Sequence, residues 1–291
     1  MSTVTASEVS IRQSKPEDVK LLMEFAEDFE WDLSMYDHLS YIKIDPNYLI
    51  VAADRNDEPV GFCGVSQNAP NTIYFGNFIV RKDLRKKGIG RLLWTAMLEK
   101  AGDQNIVLDG GPDMADWYIA HGFPFQAYKV QFCVVKVTSD MKQSIQSSYD
   151  TVTLTENMWP ALMEYDRQVY PTFDRTRILR AWFSGELVRV AVAMKAGKIV
   201  GYGSIHRKPN NEYGLRNVFG DNEDVIEALL YNMLSGLPIG TVVHFMILED
   251  KPLPKYIHHS VPVEETAIRM FNKVKIETNT DKIWLATAHI V

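Results

Sequence analysis

A chain of 291 residues is long for a single hydrophobic core and comfortable for two. With 46% apolar and 23% charged residues, its make-up is that of a soluble globular protein, not a disordered or fibrous one. A formal net charge of −6 argues against nonspecific nucleic-acid binding as the main role, and no apolar run is long enough to suggest a membrane span.

Residues 1–10 are polar and lack the apolar core of a signal peptide. Cys63 and Cys133 sit in apolar, strand-like runs, as packed thiols of a reducing compartment do, so a cytoplasmic location is expected. Residues 9–13 alternate like a first strand. Ser14-Lys15-Pro16-Glu17-Asp18 then reads as a helix start, with proline in the first turn. Leu21, Leu22, Phe25, Ala26 and Phe29 follow at helical spacing and form a core face. Residues 31–44 are aromatic and irregular, holding Trp31, Tyr36 and Tyr41. Two strands, 48–53 and 59–66, are joined by a turn at Asn56-Asp57-Glu58, and a third strand covers 72–80.

That third strand runs into a short basic turn, and the turn opens directly into a helix. Gly88 and Gly90 lack a Cβ, so the backbone there can bend sharply and approach a ligand closely. The first amides of a helix have no intrahelical partner and carry the positive end of its dipole. Arg81, Lys82, Arg85, Lys86, Lys87 and Arg91 crowd the same turn in an otherwise acidic chain. Together these features describe a site for a small anion, best suited to a phosphate or pyrophosphate. Beyond it, Leu92, Leu93, Ala96 and Met97 form a helical stripe, and 106–108 is a short buried strand. Residues 114–121 form a further helix ended by Gly122, and 125–137 supply closing strands.

Arg85-x-x-Gly88-x-Gly90, placed after a strand and before a helix, resembles the Arg/Gln-x-x-Gly-x-Gly/Ala signature of the GNAT N-acetyltransferases. Asp116-Trp-Tyr-Ile-Ala-His-Gly-Phe123 resembles the family's Tyr-x-x-x-Gly-Phe segment, and the element order from about residue 8 to 137 is the family's. The resemblance implies that Phe78, Ile79, Val80 and the loop Arg85, Lys86, Lys87, Gly88, Ile89, Gly90, Arg91 hold acetyl-CoA. The backbone at 78–80 would polarise the thioester carbonyl, as oxyanion donors do. It places Tyr118 beside the thioester sulfur as general acid, and Glu30, Trp31 and Tyr36 in the region that lines the acceptor site. A packing role for these aromatics, and for Tyr118, is the alternative.

The acceptor side is less determined. An alkyl ammonium near pKa 10.4 is only about 0.1% free base at neutral pH, a penalty of roughly 4–5 kcal/mol. Family members often place a carboxylate on the fourth strand; Ile73-Tyr-Phe-Gly-Asn-Phe-Ile-Val80 has none. Asn77 holding a water, or Asp109 or Glu30 taking the proton, are the candidates.

Residues 139–150 are polar and serine-rich and read as a linker. Beyond it the first half recurs faintly. Val60-Gly-Phe62 is echoed by Val200-Gly-Tyr202 and Asn77 by Asn217 at one constant offset; Leu92-Leu93 is echoed by Leu229-Leu230 at a shorter one. The register slips where the loop belongs, and Phe219-Gly-Asp-Asn-Glu-Asp-Val225 stands there, acidic and hostile to a pyrophosphate. Residues 267–276 resemble the family's last helix, with Phe271 in place of the tyrosine and Lys275 in place of the glycine. Asp166, Phe173-x-Arg175 and 178–183 resemble the second module of tandem GNAT proteins. Asp166, Arg175 and Arg177 are either polar-ligand groups or structural ion pairs. His258-His259 has no ligand pair at useful spacing, and no metal site is expected.

The expected architecture is α/β (α+β): two tandem GNAT-like domains, each a mixed, mostly antiparallel twisted sheet flanked by helices. Residues 1–138 form the acetyl-CoA-binding catalytic domain, 139–150 the linker, and 151–291 a degenerate GNAT-like domain without the pyrophosphate loop. The expected function is an acetyl-CoA-dependent N-acetyltransferase, transferring directly to a primary amine of a small molecule or peptide. A catalytically inactive CoA-binding sensor or scaffold is the alternative. Acetyl-CoA and the amine are the expected partners, with no nucleic acid, membrane or metal, in a monomer or homodimer.

Overall fold

The computed structural model describes residues 5–27, 33–143 and 145–290. The first half runs β1 (Ser10–Gln13), α1 (Pro16–Glu27), α2 (Asp37–Ile44), β2 (Leu49–Ala53), β3 (Pro59–Ala69), β4 (Thr72–Val80), α3 (Ile89–Ala101), β5 (Asn105–Gly110), α4 (Ala115–Ala120) and β6 (Phe125–Lys136). The second runs β7 (Asp150–Thr153), α5 (Trp159–Val169), α6 (Thr176–Phe183), β8 (Val188–Lys195), β9 (Lys198–Arg207), β10 (Tyr213–Gly220), α7 (Glu223–Leu234), β11 (Val242–Leu248), β12 (Val261–Phe271) and β13 (Ile283–Ala286). Through β11 the two halves share one order, apart from α4.

The faint sequence echoes have physical causes. A Cβ on Gly61 would lie 3.1 Å from Leu93 Cδ1 of α3, and one on Gly201 would lie 2.5 Å from Val225 Cγ1 of α7. Each glycine is the place where a helix lies down on β3 or β9. Asn77 and Asn217 both adopt left-handed backbone, φ 49° and 50°, at the point where β4 and β10 slip register against their neighbours. Asparagine tolerates that conformation better than most residues, and each pair of strands bulges there.

All strands belong to one sheet, in the order β1-β2-β3-β4-β5-β12-β6-β11-β13-β10-β9-β8-β7. β6 and β12 are exchanged at its centre. β12 pairs with β5 of the first half (Leu108 opposite Met270), and β6 pairs with β11 of the second (Cys133 opposite Phe245). Residues 125–137 therefore supply one closing strand, and the second half supplies its neighbour.

The predicted last helix over 267–276 is the end of β12 instead. Ala267, Ile268, Arg269, Met270 and Phe271 are all buried. A central strand covered on both faces reads as a continuous buried run, which periodicity alone cannot tell from a helix. The equivalence of Phe271 and Lys275 to the family's tyrosine and glycine falls with that helix.

On one face of the sheet, α1, α2, α5 and α6 share a single core spanning both halves, including Leu22, Tyr41, Leu162 and Trp182. On the other, α3 and α7 cover separate cores built around Leu93 with Met97 and around Leu229 with Met233. Cys63 and Cys133 are free and buried. Asp166 and Arg175 form a fully buried pair at 3.2 Å, and Arg177 donates to Ile44 O, so both arginines serve the packing.

Candidate active site

β4 and β5 are parallel neighbours only over Thr72–Tyr74 and Asn105–Val107. Beyond Tyr74, ahead of the Asn77 bulge, they separate, and the gap opens a cavity of about 510 Å³. Its walls include Phe75, Asn77, Phe78, Asp109, Gly110 and Tyr118 from the first half. Met246, Thr266, Ala267 and His289 come from the second.

The basic turn stands at one end, and Arg85 reaches the cavity wall. Gly88 caps α3 with φ 86°, a left-handed conformation that a side chain would strain. Gly90 differs. An added Cβ would meet only Phe78 at 3.6 Å and Val80 at 3.9 Å, which is ordinary contact. An alanine would therefore fit there, as the Gly/Ala position of the signature allows.

Tyr118 lies across the far wall. Its Cε2 would be 2.7 Å from a Cβ on Gly110, so the missing side chain at 110 lets the ring lie flat on β5. Trp94 and Phe123 pack against it at 6.2 and 6.1 Å between ring centres. Burial pushes the phenol up to about 12. A thiol ordinarily titrates near roughly 8.5, so complete proton transfer from this phenol to a thiolate is uphill, whereas a hydrogen bond to it is not.

The acceptor-side expectations fare differently. Glu30 and Trp31 lie outside the described residues. Tyr36 lines a separate small recess with Ser34, Leu187 and His206, away from the cavity, while Leu33 takes a place in the cavity wall. Asp109 is held by Arg269 of β12 through two hydrogen bonds of 2.9 and 2.6 Å, and accepts a third from Tyr74 at 3.0 Å. Both charged side chains of the Asp109–Arg269 pair are nearly inaccessible, at 5% and 3% exposure. A carboxylate so committed is poorly placed to take a proton from an amine. Asn77 lines the cavity.

His289 was not anticipated. It follows β13, far along the chain, and only the crossing of that segment into the first half brings it to the cavity.

The second half has the same splay, but it is filled. β10 and β11 pair at Tyr213–Gly214 with Val243–His244, then part, and β13 enters between them. Leu285 sits opposite both Val218 and Ile247, and Ile283 opposite Phe219. At the loop position, the side chain of Asn222 accepts from Val225 N at 3.1 Å, occupying an amide an anion would need. Asp221 is paired with Lys282 at 2.5 Å.

Residues 18–123 match the model of the acetyltransferase (GNAT) family. The chain carries a GNAT acetyltransferase domain. The fold of the whole chain is also that of known GNAT structures. A putative acetyltransferase from Pyrococcus horikoshii superposes with a TM-score of 0.74 at 19% identity, covering 99% of this chain and 97% of that one. A tandem GNAT protein from the clavulanic acid biosynthesis pathway gives 0.66 at 16% identity, over 91% and 98%. The N-myristoyltransferase of Saccharomyces cerevisiae, solved with bound myristoyl-CoA, gives 0.66 at 10% identity, over 96% and 83%. No curated protein matches the sequence. Among the described residues, no cluster of His, Cys, Asp and Glu would hold a metal ion, and no helix is long and apolar enough to cross a membrane.

Proposed function

We propose that this GNAT protein is an acetyl-CoA-dependent N-acetyltransferase that transfers the acetyl group directly to a primary amine of a small molecule or peptide. The observation that carries the reading is the alignment of three features along one cleft. These are the glycine-bearing start of α3, the splay at Asn77, and Tyr118 on the opposite wall. The equivalent cleft of the second half is closed by β13, so the protein has one donor site. The halves are best divided at 138 and 151 as units of sequence, although each completes its sheet with a strand from the other.

In this reading the amides of residues 88–91 and the cations Arg85, Lys86, Lys87 and Arg91 hold the pyrophosphate. The backbone at Phe78, Ile79 and Val80 runs beside the pantetheine arm and polarises the thioester carbonyl. Tyr118 donates a hydrogen bond to the departing sulfur. The cavity wall supplied by β11, β12 and the segment after β13 receives the amine. Asp109 holds Arg269 in place and takes no proton.

Calorimetric titration with acetyl-CoA tests the donor site. Micromolar binding is expected, lost in Gly88→Glu, whose carboxylate and bulk would occupy the loop. No binding to the native protein would end the reading. The one observation favouring a CoA-binding sensor is the commitment of Asp109 to Arg269; turnover of acetyl-CoA over any amine would dispose of that alternative.

A further inference from the structure

The cavity of the donor cleft passes from one face of the sheet to the other. Phe78 and Tyr118 line it and pack against the core beneath α3. Met246 and Ala267 also line it, but they belong to the core that α1, α2, α5 and α6 share, and Phe132 and Ala288 pack against that same core. A donor laid along the basic turn and Tyr118 occupies the α3 side. The acetyl group then points through the splay toward Phe132, Met246, Ala267 and Ala288.

The exchanged strands build the floor of that far end. Phe132 of β6 stands opposite Met246 of β11. Val130, on the same face of β6, stands opposite Ala267 of β12. The segment after β13 forms a side wall over this floor. Ala288 O accepts from the Tyr74 hydroxyl, and Thr287 O and Ile290 O accept from Arg269 Nη2 at 3.0 and 3.3 Å. Arg269 is in turn held by Asp109 at 2.6 Å. The backbone is thus tied down on both sides of Ala288, and its short side chain stays with it. Phe132 and Ala288 are only half-buried, so apolar surface at this end is left for a ligand to cover. Such surface favours an apolar partner, and a methyl group at 288 leaves room that a larger side chain would fill.

We propose that the far end of the cavity receives an amine carrying an apolar, arylalkyl group, and that Ala288 sets how large that group can be. The inference rests on the acyltransferase reading above. The ring of the amine lies on Phe132 and Met246 and against Ala288, with its nitrogen directed through the splay at the thioester. The second half of the chain thereby selects the acceptor for the donor site of the first.

The test uses the full chain with acetyl-CoA and the acceptors phenethylamine, ethylamine and putrescine, the last carrying a second cation in place of a ring. The native protein should favour phenethylamine over each of the others by about tenfold or more in kcat/KM, the scale on which apolar contacts in a pocket discriminate. Ala288→Leu puts an isobutyl group where a methyl group stood. It should abolish the preference, mainly by raising KM for phenethylamine, while ethylamine stays within about threefold and calorimetric affinity for acetyl-CoA is unchanged. Ala288→Val should give an intermediate loss, and it carries this arm if the leucine variant does not fold. A native protein that acetylates putrescine or ethylamine as well as phenethylamine would overturn the proposal. So would equal losses on all the amines in the variant, or a variant that keeps the native preference. A variant that instead loses butanoyl-CoA relative to acetyl-CoA would also overturn it, by placing Ala288 beside the acyl chain. A native protein that binds acetyl-CoA yet acetylates none of these amines would remove the acyltransferase reading, and this inference with it.

Discussion

Two residues separate packing from chemistry in the donor cleft. Gly90 can accept a methyl group without a clash inside the chain. Gly90→Ala should therefore leave thermal stability unchanged or raise it, by up to about 1 kcal/mol, since alanine is the better helix former. Acetyl-CoA affinity should stay within a few-fold, because the signature that the loop resembles admits alanine at this position. Paired denaturation and calorimetry check both halves of that statement. Tyr118→Phe removes one hydroxyl from a ring already held by Gly110, Trp94 and Phe123. Turnover should fall about 10²-fold while acetyl-CoA affinity stays within a few-fold. Equal activity in the phenylalanine variant would reduce Tyr118 to a packing residue. Both positions were legible in the sequence because a glycine at a helix start and a tyrosine before Gly-Phe are local signals. His289 carries no such signal, since nothing near it in the chain marks its destination.

At the scale of elements, buried charge ties the halves together. The Asp109–Arg269 pair joins β5 to β12 across the exchange. Removing one partner leaves the other charge buried, so Arg269→Gln should cost about 3–5 kcal/mol in chemical denaturation. A loss below about 1 kcal/mol would show that water reaches Asp109. A second tie is Asp37 of α2, whose Oδ1 lies 3.4 Å from His206 Nδ1 of β9. Burial alone would raise the Asp37 carboxyl, but His206, His289 and Arg216 outweigh it and hold it down to about 2. An unfolded aspartate titrates near roughly 3.9, so the stabilisation from Asp37 is complete above that value and is lost as pH falls through about 2. The stability difference between the native protein and Asp37→Asn should be largest at neutral pH and shrink between about pH 4 and 2. A difference that stays constant over that range would contradict the assignment. The carboxylate is in the sequence; its burial against the other half is not.

For the whole molecule, the strand exchange decides how the chain behaves when cut. Residues 1–138 alone would lack β12 and expose the edge of β5, and 151–291 alone would lack β6 and expose the edge of β11. Unpaired edges next to apolar faces invite aggregation. Each half expressed alone should be insoluble or molten, while the two expressed together should assemble into a particle of the mass of the full chain. Two soluble, cooperatively folding fragments would show that the exchange is dispensable. The same architecture lines the cavity with residues of both halves of the chain, Asn77 and Tyr118 from the first and Met246 and Ala267 from the second.

The sequence by itself determined what depends on neighbours in the chain. That includes the strand–turn–helix of the basic loop, the element order of the first half, the glycines and asparagines that recur, and the acidic segment that stands at the second loop position. The tertiary structure alone decided what depends on residues far apart. β12 reads equally as a buried helix or a buried strand until its partners β5 and β6 are known. The closing of the second cleft by β13, the neutralising of Asp109 and the arrival of His289 all follow from where the last forty residues pair. Local patterns specify backbone conformation, whereas pairing across the sheet is selected by the burial that only the assembled fold provides.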